Sequence, residues 1–308
     1  MNEHEQNTLK LEAELIDDGF IDMSKLVSNA FDRIINKIET PEAITGIPTC
    51  FPSLDRYTSG LQRGDLIVVA GRPSMGERFF VRDIAMHIAL VHDLPVAMMD
   101  AEKSGEYQAM RMIASMAKMD YALLHHCQIS NDESDLLKSS FAFLNDAPIY
   151  FSALIPATVH ELGEQLRKLN QRTGKLGLIV VDCLPELKLS GEKMNDDYAI
   201  KLAHTSRRLK ALAHELDVPI IVLSPIEREI EERFNKSPQL TDLPGMAAIA
   251  NAADLVLMVY RDEVCDPDTE EKGLANIIVS RNRNGFIGSF KLKFDGRYGS
   301  FEEVNHGV

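Results

Sequence analysis

Six strand-length apolar runs punctuate the chain: DLIVVA (65–70), PVAMM (95–99), PIYFS (148–152), LGLIVV (176–181), VPIIVL (218–223) and DLVLMVY (254–260). Most are continuous rather than alternating, as expected of strands covered on both faces. Helices are expected between them. Two open with capping boxes, Ser130-x-x-Glu133 and Thr158-x-x-Glu161, in which side chain and backbone satisfy each other's free donors. A helix near 196–216 carries Leu202, Leu209, Leu212 and Leu216 on one face, and Arg207, Arg208 and Lys210 on a face expected to be solvated. After residue 260 the pattern turns to period two in ANIIVSR (275–281) and SFKLKF (289–294), joined by a glycine-containing turn. The alternation predicts an α/β fold: a mostly parallel central sheet with helices on both faces and an antiparallel C-terminal hairpin at its edge.

With 308 residues the chain can bury a substantial core. No apolar run approaches the roughly 20 residues of a membrane span, and the acidic, polar N-terminus MNEHEQNTLKLEAEL does not resemble a secretory signal. A cytoplasmic protein without membrane contact is expected. Cys50, Cys127, Cys183 and Cys265 are scattered without a CxxC pair, which points to free thiols. His125-His126-Cys127 has no second cluster to complete a tetrahedral set, so no metal site is expected. A net charge of −14 and the lack of a basic stripe argue against strong nucleic-acid binding by the chain alone.

Residues 1–21 read as a flexible acidic tail. Residues 22–45 read as a linker helix and linker, and 46–308 as the main domain. Asp22 offers an N-cap, and Val27, Phe31, Ile34, Ile35 and Ile38 make one apolar stripe that needs a partner, either the chain's own core or, on our reading, another subunit. The stretch TPEAITGIP (40–48) carries the proline and glycine punctuation of a linker.

Between DLIVVA and the apolar-periodic FFVRDIAMHIAL lies GRPSMGER, residues Gly71, Arg72, Pro73, Ser74, Met75, Gly76, Glu77 and Arg78. The two glycines have the spacing of a phosphate-binding loop in its strand-loop-helix setting. In such a loop backbone N–H groups and a helix N-terminus cradle phosphates, a lysine reaches the β- and γ-phosphates, and a hydroxyl holds Mg²⁺. Here the lysine and hydroxyl positions are Glu77 and Arg78. Asp182 ends the run LIVVD, where a Mg²⁺-associated carboxylate belongs. Glu102 follows the run VAMMDA at a neighbouring strand end, and in motors with such a loop a glutamate there orients the attacking water.

The segments GIPTCFPSLDRYTSGLQRGDLIVVAGRPSMG, SRRLKALAHELDVPIIVLS, ADLVLMVYRDE and SRNRNGFIGSFKLKFDG resemble the motor domain of DnaB-type replicative helicases. The resemblance runs from about residue 22 to 303. It implies a RecA-like P-loop fold, a hexameric ring around single-stranded DNA, and nucleotide sites at subunit interfaces. It also identifies the helix at 23–38 with one that docks on an adjacent subunit, and Arg281 and Arg283 with arginine fingers lent to a neighbour's site. The family's N-terminal collar domain is expected to be missing.

Departures from the family pattern shape the expected function. A unit charge pair about 4 Å apart is worth about 4 kcal/mol at an effective dielectric of 20. Exchanging attraction for repulsion at Glu77 therefore costs about twice that. Ser224-Pro225 replaces a Ser-Gln pair that senses the γ-phosphate, and the DNA-contacting loop becomes Asp242-Leu243-Pro244-Gly245-Met246-Ala247, without its arginine and glutamate. The expectation is an ATPase-deficient homologue that acts in DNA replication by docking on or regulating a replicative helicase. Contacts to that helicase, or to another replication protein, would run through helix 23–38 and the 281–285 hairpin. Single-stranded DNA binding would be weak or lacking, and a homo-oligomer is possible. No cofactor is expected, with ATP and Mg²⁺ required only if the altered loop works. The alternatives are an active ATP-dependent hexameric helicase and a homo-oligomeric scaffold.

Overall fold

The computed structural model describes residues 22–40, 44–100, 103–126, 129–153, 156, 158–182, 198–226, 233, 236–243 and 251–304. The acidic tail, Glu102, Cys127, Cys183 and the loop residues Pro244 to Ala247 lie outside that set. The strands are β1 Leu66–Gly71, β2 Val96–Asp100, β3 Ile149–Phe151, β4 Leu178–Asp182, β5 Ile220–Pro225, β6 Leu255–Tyr260, β7 Leu274–Asn282, β8 Gly288–Asp295 and β9 Ser300–Glu303. The helices are α1 Met23–Glu39, α2 Pro52–Thr58, α3 Glu77–His92, α4 Gly105–Met116, α5 Tyr121–His125, α6 Asn131–Asn145, α7 Val159–Thr173, α8 Tyr198–Leu216 and α9 Asp262–Cys265.

Two units make up the chain, Met1–Ile44 and Thr45–Val308. In the first, Asp22 starts α1 by accepting from the Ser24 N–H at 2.8 Å and the Ser24 hydroxyl at 2.5 Å. In the second, the described strands form one sheet in the order β3-β2-β4-β5-β1-β6-β7-β8-β9. Pairing is parallel from β3 to β6 and antiparallel from β6 to β9. Alternate residues feed opposite faces, as the two-residue period of a strand requires. Ile67, Val69, Val180 and Leu257 join the core that holds Phe80 and Ile84 of α3. Leu66, Val68, Val181 and Val256 join the one that holds Leu162 of α7 and Leu209 of α8. Both faces are thus covered, which is why the strand sequences run apolar without alternation.

The six parallel strands fall where the apolar runs predict them, within one or two residues. Ser130 and Glu133 form the expected capping box on α6, and Thr158 caps α7 by accepting from the Glu161 N–H at 3.2 Å.

β7 and β8 make the expected antiparallel C-terminal hairpin, and β9 pairs with β8 to extend it and buries Phe301. Two expectations need correction. Ile47, expected in a linker, is buried and exchanges two 2.8 Å backbone hydrogen bonds with Leu61, so the end of TPEAITGIP belongs to the folded unit. Lys210 does not face solvent. Its ammonium donates to the Gly64 carbonyl at 2.7 Å and pairs with Asp254 at 2.5 Å, because two carboxylates beside β1 require a cation.

The topology brings the carboxyl ends of β1, β4 and β5 together, and ligand crevices of open α/β sheets form at such ends.

Candidate functional site: an altered phosphate loop

The turn between β1 and α3 keeps the shape of a phosphate loop. Ser74 and Gly76 both have left-handed backbones, at φ 74° and 95°. A Cβ on Gly76 would also lie 3.1 Å from the Phe301 ring, so glycine is needed there both for its backbone and for the close approach of β9. The sheet extension and the end of β6 brace the loop from behind. Arg261 donates its N–H to the Met75 sulfur at 3.2 Å and its Nη1 to the Ser74 carbonyl at 2.9 Å, and Arg72 Nη1 reaches the Cys265 sulfur at 3.4 Å.

What sits in the loop differs from what a triphosphate site needs. Glu77 folds back over the loop's first glycine: a Cβ on Gly71 would meet Glu77 Oε2 at 2.8 Å. Arg78 reaches across to the tip of β4, where its Nε lies 2.8 Å from Asp182 Oδ2 and its Nη2 donates to Oδ1 at 3.4 Å. This fork engages both carboxylate oxygens, the geometry in which arginine binds carboxylate most strongly. The residue standing where a hydroxyl would hold Mg²⁺ thus brings a fixed positive charge to the carboxylate that would flank the metal. The donor set does not fit Mg·ATP, since a lysine and a hydroxyl are missing and Asp182 already has its cation.

Around the loop lies a cavity of about 460 Å³, bounded by Gly71, Gly76, Glu77, Arg78, Asp182 and Ser224, with Pro225 at its edge. Pro225 ends β5 opposite Gly71 and has no N–H or side-chain amide to offer a phosphate. Sequence reasoning missed the remaining walls: Phe79 and Arg82 of α3, Lys103, and Tyr107, Gln108 and Arg111 of α4. Arg82 is 2% exposed. Its Nη2 donates to Ser115 Oγ at 3.1 Å, to the Gly299 carbonyl at 2.5 Å and to Asp83 at 3.1 Å, and its guanidinium lies 5.0 Å from the Phe79 ring centre. Burial pulls the Arg82 pKa down and pushes that of Asp83 up. The available signal was Arg82-Asp83 itself, two charges interrupting the apolar run of α3.

The other sequence candidates divide. Asp100, at the end of β2, is in register with Asp182, so the two strand tips are neighbours as expected, while Glu102 lies outside the described residues. Arg281 and Arg283 do not line the cavity and bond to their own chain. Arg281 Nε donates to the Ala253 carbonyl at 3.2 Å, and Arg283 Nη1 lies 3.2 Å from Asp254 Oδ1. In the altered DNA loop, Asp242 accepts from Arg233 at 2.7 Å. Among the described residues no group of three or more His, Cys, Asp or Glu is placed to hold a metal, and no helix is long and apolar enough to cross a membrane.

Comparison with known proteins agrees with this architecture. Residues 46–303 match the family described as DnaB-like helicase C terminal domain. The replicative DNA helicase DnaB of Pasteurella multocida is 37% identical over 284 residues, which cover 91% of this chain and 60% of the relative. The replicative DNA helicase DnaC of Bacillus subtilis is 33% identical over 301 residues, covering 98% of this chain and 66% of that one. The chain therefore spans somewhat under two thirds of the length of such relatives. Among solved structures, one described as an ATPase domain superposes with a TM-score of 0.84 at 26% identity, covering 91% of this chain and 99% of that one. A DnaB-like replicative helicase, described with its interactions with primase, superposes at 0.83 and 24% identity, covering 98% and 75%, and supports the fold. With the sheet order, the loop and these likenesses in agreement, the chain belongs to the family of DnaB-like helicase C-terminal domains and has its RecA-like fold.

Proposed function

We propose that this protein serves DNA replication as a helicase-motor homologue whose own nucleotide site is disabled, and that it acts by docking on and regulating a replicative helicase. The observation that carries this reading is the Arg78–Asp182 pair at 2.8 Å. It sets an arginine against the carboxylate a catalytic Mg²⁺ would need, while Glu77 lies over Gly71 in place of the phosphate-binding lysine. Loss of the amide after Ser224 and of the side chains in the 242–247 loop adds to it. The docking surfaces are helix 23–38 and the 281–285 hairpin, with Arg281 and Arg283 the groups offered to a neighbour's site. Single-stranded DNA binding is weak. Asp182 and Glu102 are then relics of catalysis, with ATP and Mg²⁺ no longer bound as a productive pair.

A second reading, an active ATP-dependent hexameric helicase, is favoured by the preserved loop backbone and by retention of Asp182, Glu102, Arg281 and Arg283. Titration with Mg·ATP and a hydrolysis assay separate the two. The natural chain should show no turnover, and Glu77→Lys/Arg78→Thr should regain Mg·ATP binding. Turnover by the natural chain that Glu102→Gln abolishes would refute the disabled-site reading.

A further inference from the structure

Among the described residues lining the cavity beside the loop, Arg78, Arg82, Lys103 and Arg111 are cationic and Glu77 and Asp182 anionic. Asp182 matches Arg78, and Asp83 matches Arg82. Lys103 and Arg111 line the same space, and among the described residues neither forms an ion pair with a carboxylate. Both are instead held by aromatic rings. The Lys103 ammonium lies 5.5 Å from the Tyr107 ring centre, and the Arg111 guanidinium 3.6 Å from that of Tyr121. Arg111 Nε donates to the Tyr107 hydroxyl at 3.1 Å. A stacked guanidinium keeps its other N–H edges available for an oxyanion.

Arg82 supplies an independent sign of a missing acceptor. It is 2% exposed and lines the cavity, yet its Nε and Nη1 are buried with no hydrogen-bond partner. Buried donors left this way are rare and costly.

We infer that this cavity is a magnesium-independent site for a small phosphate-class polyanion, of about the size of pyrophosphate, held by Lys103, Arg111 and Arg82. The inference rests on the reading that Arg78 stands in for the metal at Asp182. A volume of about 460 Å³ admits more than a single phosphate. Glu77 repels the anion from the loop's own turn, so it sits on the α4 side, beside Phe79 and Tyr107. A Mg²⁺-bound polyphosphate has part of its charge already neutralised and gains less from these cations.

Calorimetric titration of the full chain with sodium pyrophosphate in EDTA should show saturable binding, weakened by excess Mg²⁺. Lys103 is exposed, so Lys103→Ala leaves the fold intact and should weaken binding roughly tenfold, the loss of one charge-assisted contact. ADP in the same buffer distinguishes a nucleotide's diphosphate from the free anion, and Lys103-dependent binding of either supports the site. Binding of neither in EDTA, binding that requires Mg²⁺, or binding untouched by Lys103→Ala would overturn it. Because no hydrolysis is read, these outcomes stand apart from the Mg·ATP test of the disabled motor.

Discussion

Glu77 and Arg78 reverse the electrostatics of the loop as a pair. An acidic side chain lies where a phosphate's negative charge would be drawn in, and a guanidinium provides the positive charge that a divalent ion would bring to Asp182. The loop backbone can remain ordered because charges of the chain itself take up these positions. The Arg78 and Asp182 side chains are 38% and 15% exposed, so the pair is partly screened and worth about 1 kcal/mol. A double-mutant cycle of Arg78→Ala and Asp182→Asn, read by urea unfolding, should return a coupling of that order. Zero coupling would mean the two do not pair in solution. The substitutions at 77 and 78 were legible in the sequence, but their partners were not. Arg78 could equally have offset Glu77, and only the strand order places Asp182 within its reach.

Among the elements, the entry to β1 and the end of β7 share one charged cluster. Asp254 is buried and accepts from the Leu66 N–H at 2.9 Å, from Lys210 at 2.5 Å and from Arg283 at 3.2 Å. Lys210→Met leaves Asp254 with one cation of its two and should cost about 3 kcal/mol in a urea titration, the scale for breaking a buried pair. Asp65 belongs to the same cluster, facing Lys210, Asp254, Arg283 and Asn284, and burial with help from Asp254 pushes its carboxyl up to about 6. Folded protein therefore holds this proton up to about pH 6, whereas the unfolded chain releases it near the ordinary 3.8. Stability falls as pH rises through that window. Asp65→Asn should remove this contribution, so that its stability relative to the natural chain improves from pH 4 to 6 and then levels off. A constant difference across the window would refute the assignment. Lys210 looked solvated because helical spacing marks a face as polar without saying what stands opposite.

At the scale of the molecule, the docking proposal divides the labour between units. The amphipathic α1 belongs to the first, and the hairpin carrying Arg281 and Arg283 to the second. Deleting residues 1–40 should abolish co-elution with a replicative helicase while leaving the chain's own elution volume unchanged apart from its smaller mass. Loss of self-association would instead identify a scaffold. Continuous apolar runs, capping residues and two glycines around a turn are local signals, each decided by neighbours within a few positions, so the sheet's parallel strands, the helices between them and the loop itself could be read directly from sequence. The walls of the cavity could not. Arg82, Lys103 and Arg111 lie far from Asp182 along the chain and meet it only because β2, β4, β5 and β1 pair in that order. The ninth strand shows the same limit: four residues carry too little periodicity to announce themselves, yet Phe301 closes against Gly76 once β8 has presented it. Local sequence chose the elements through backbone propensity and burial pattern, while long-range packing alone decided which charges would face one another.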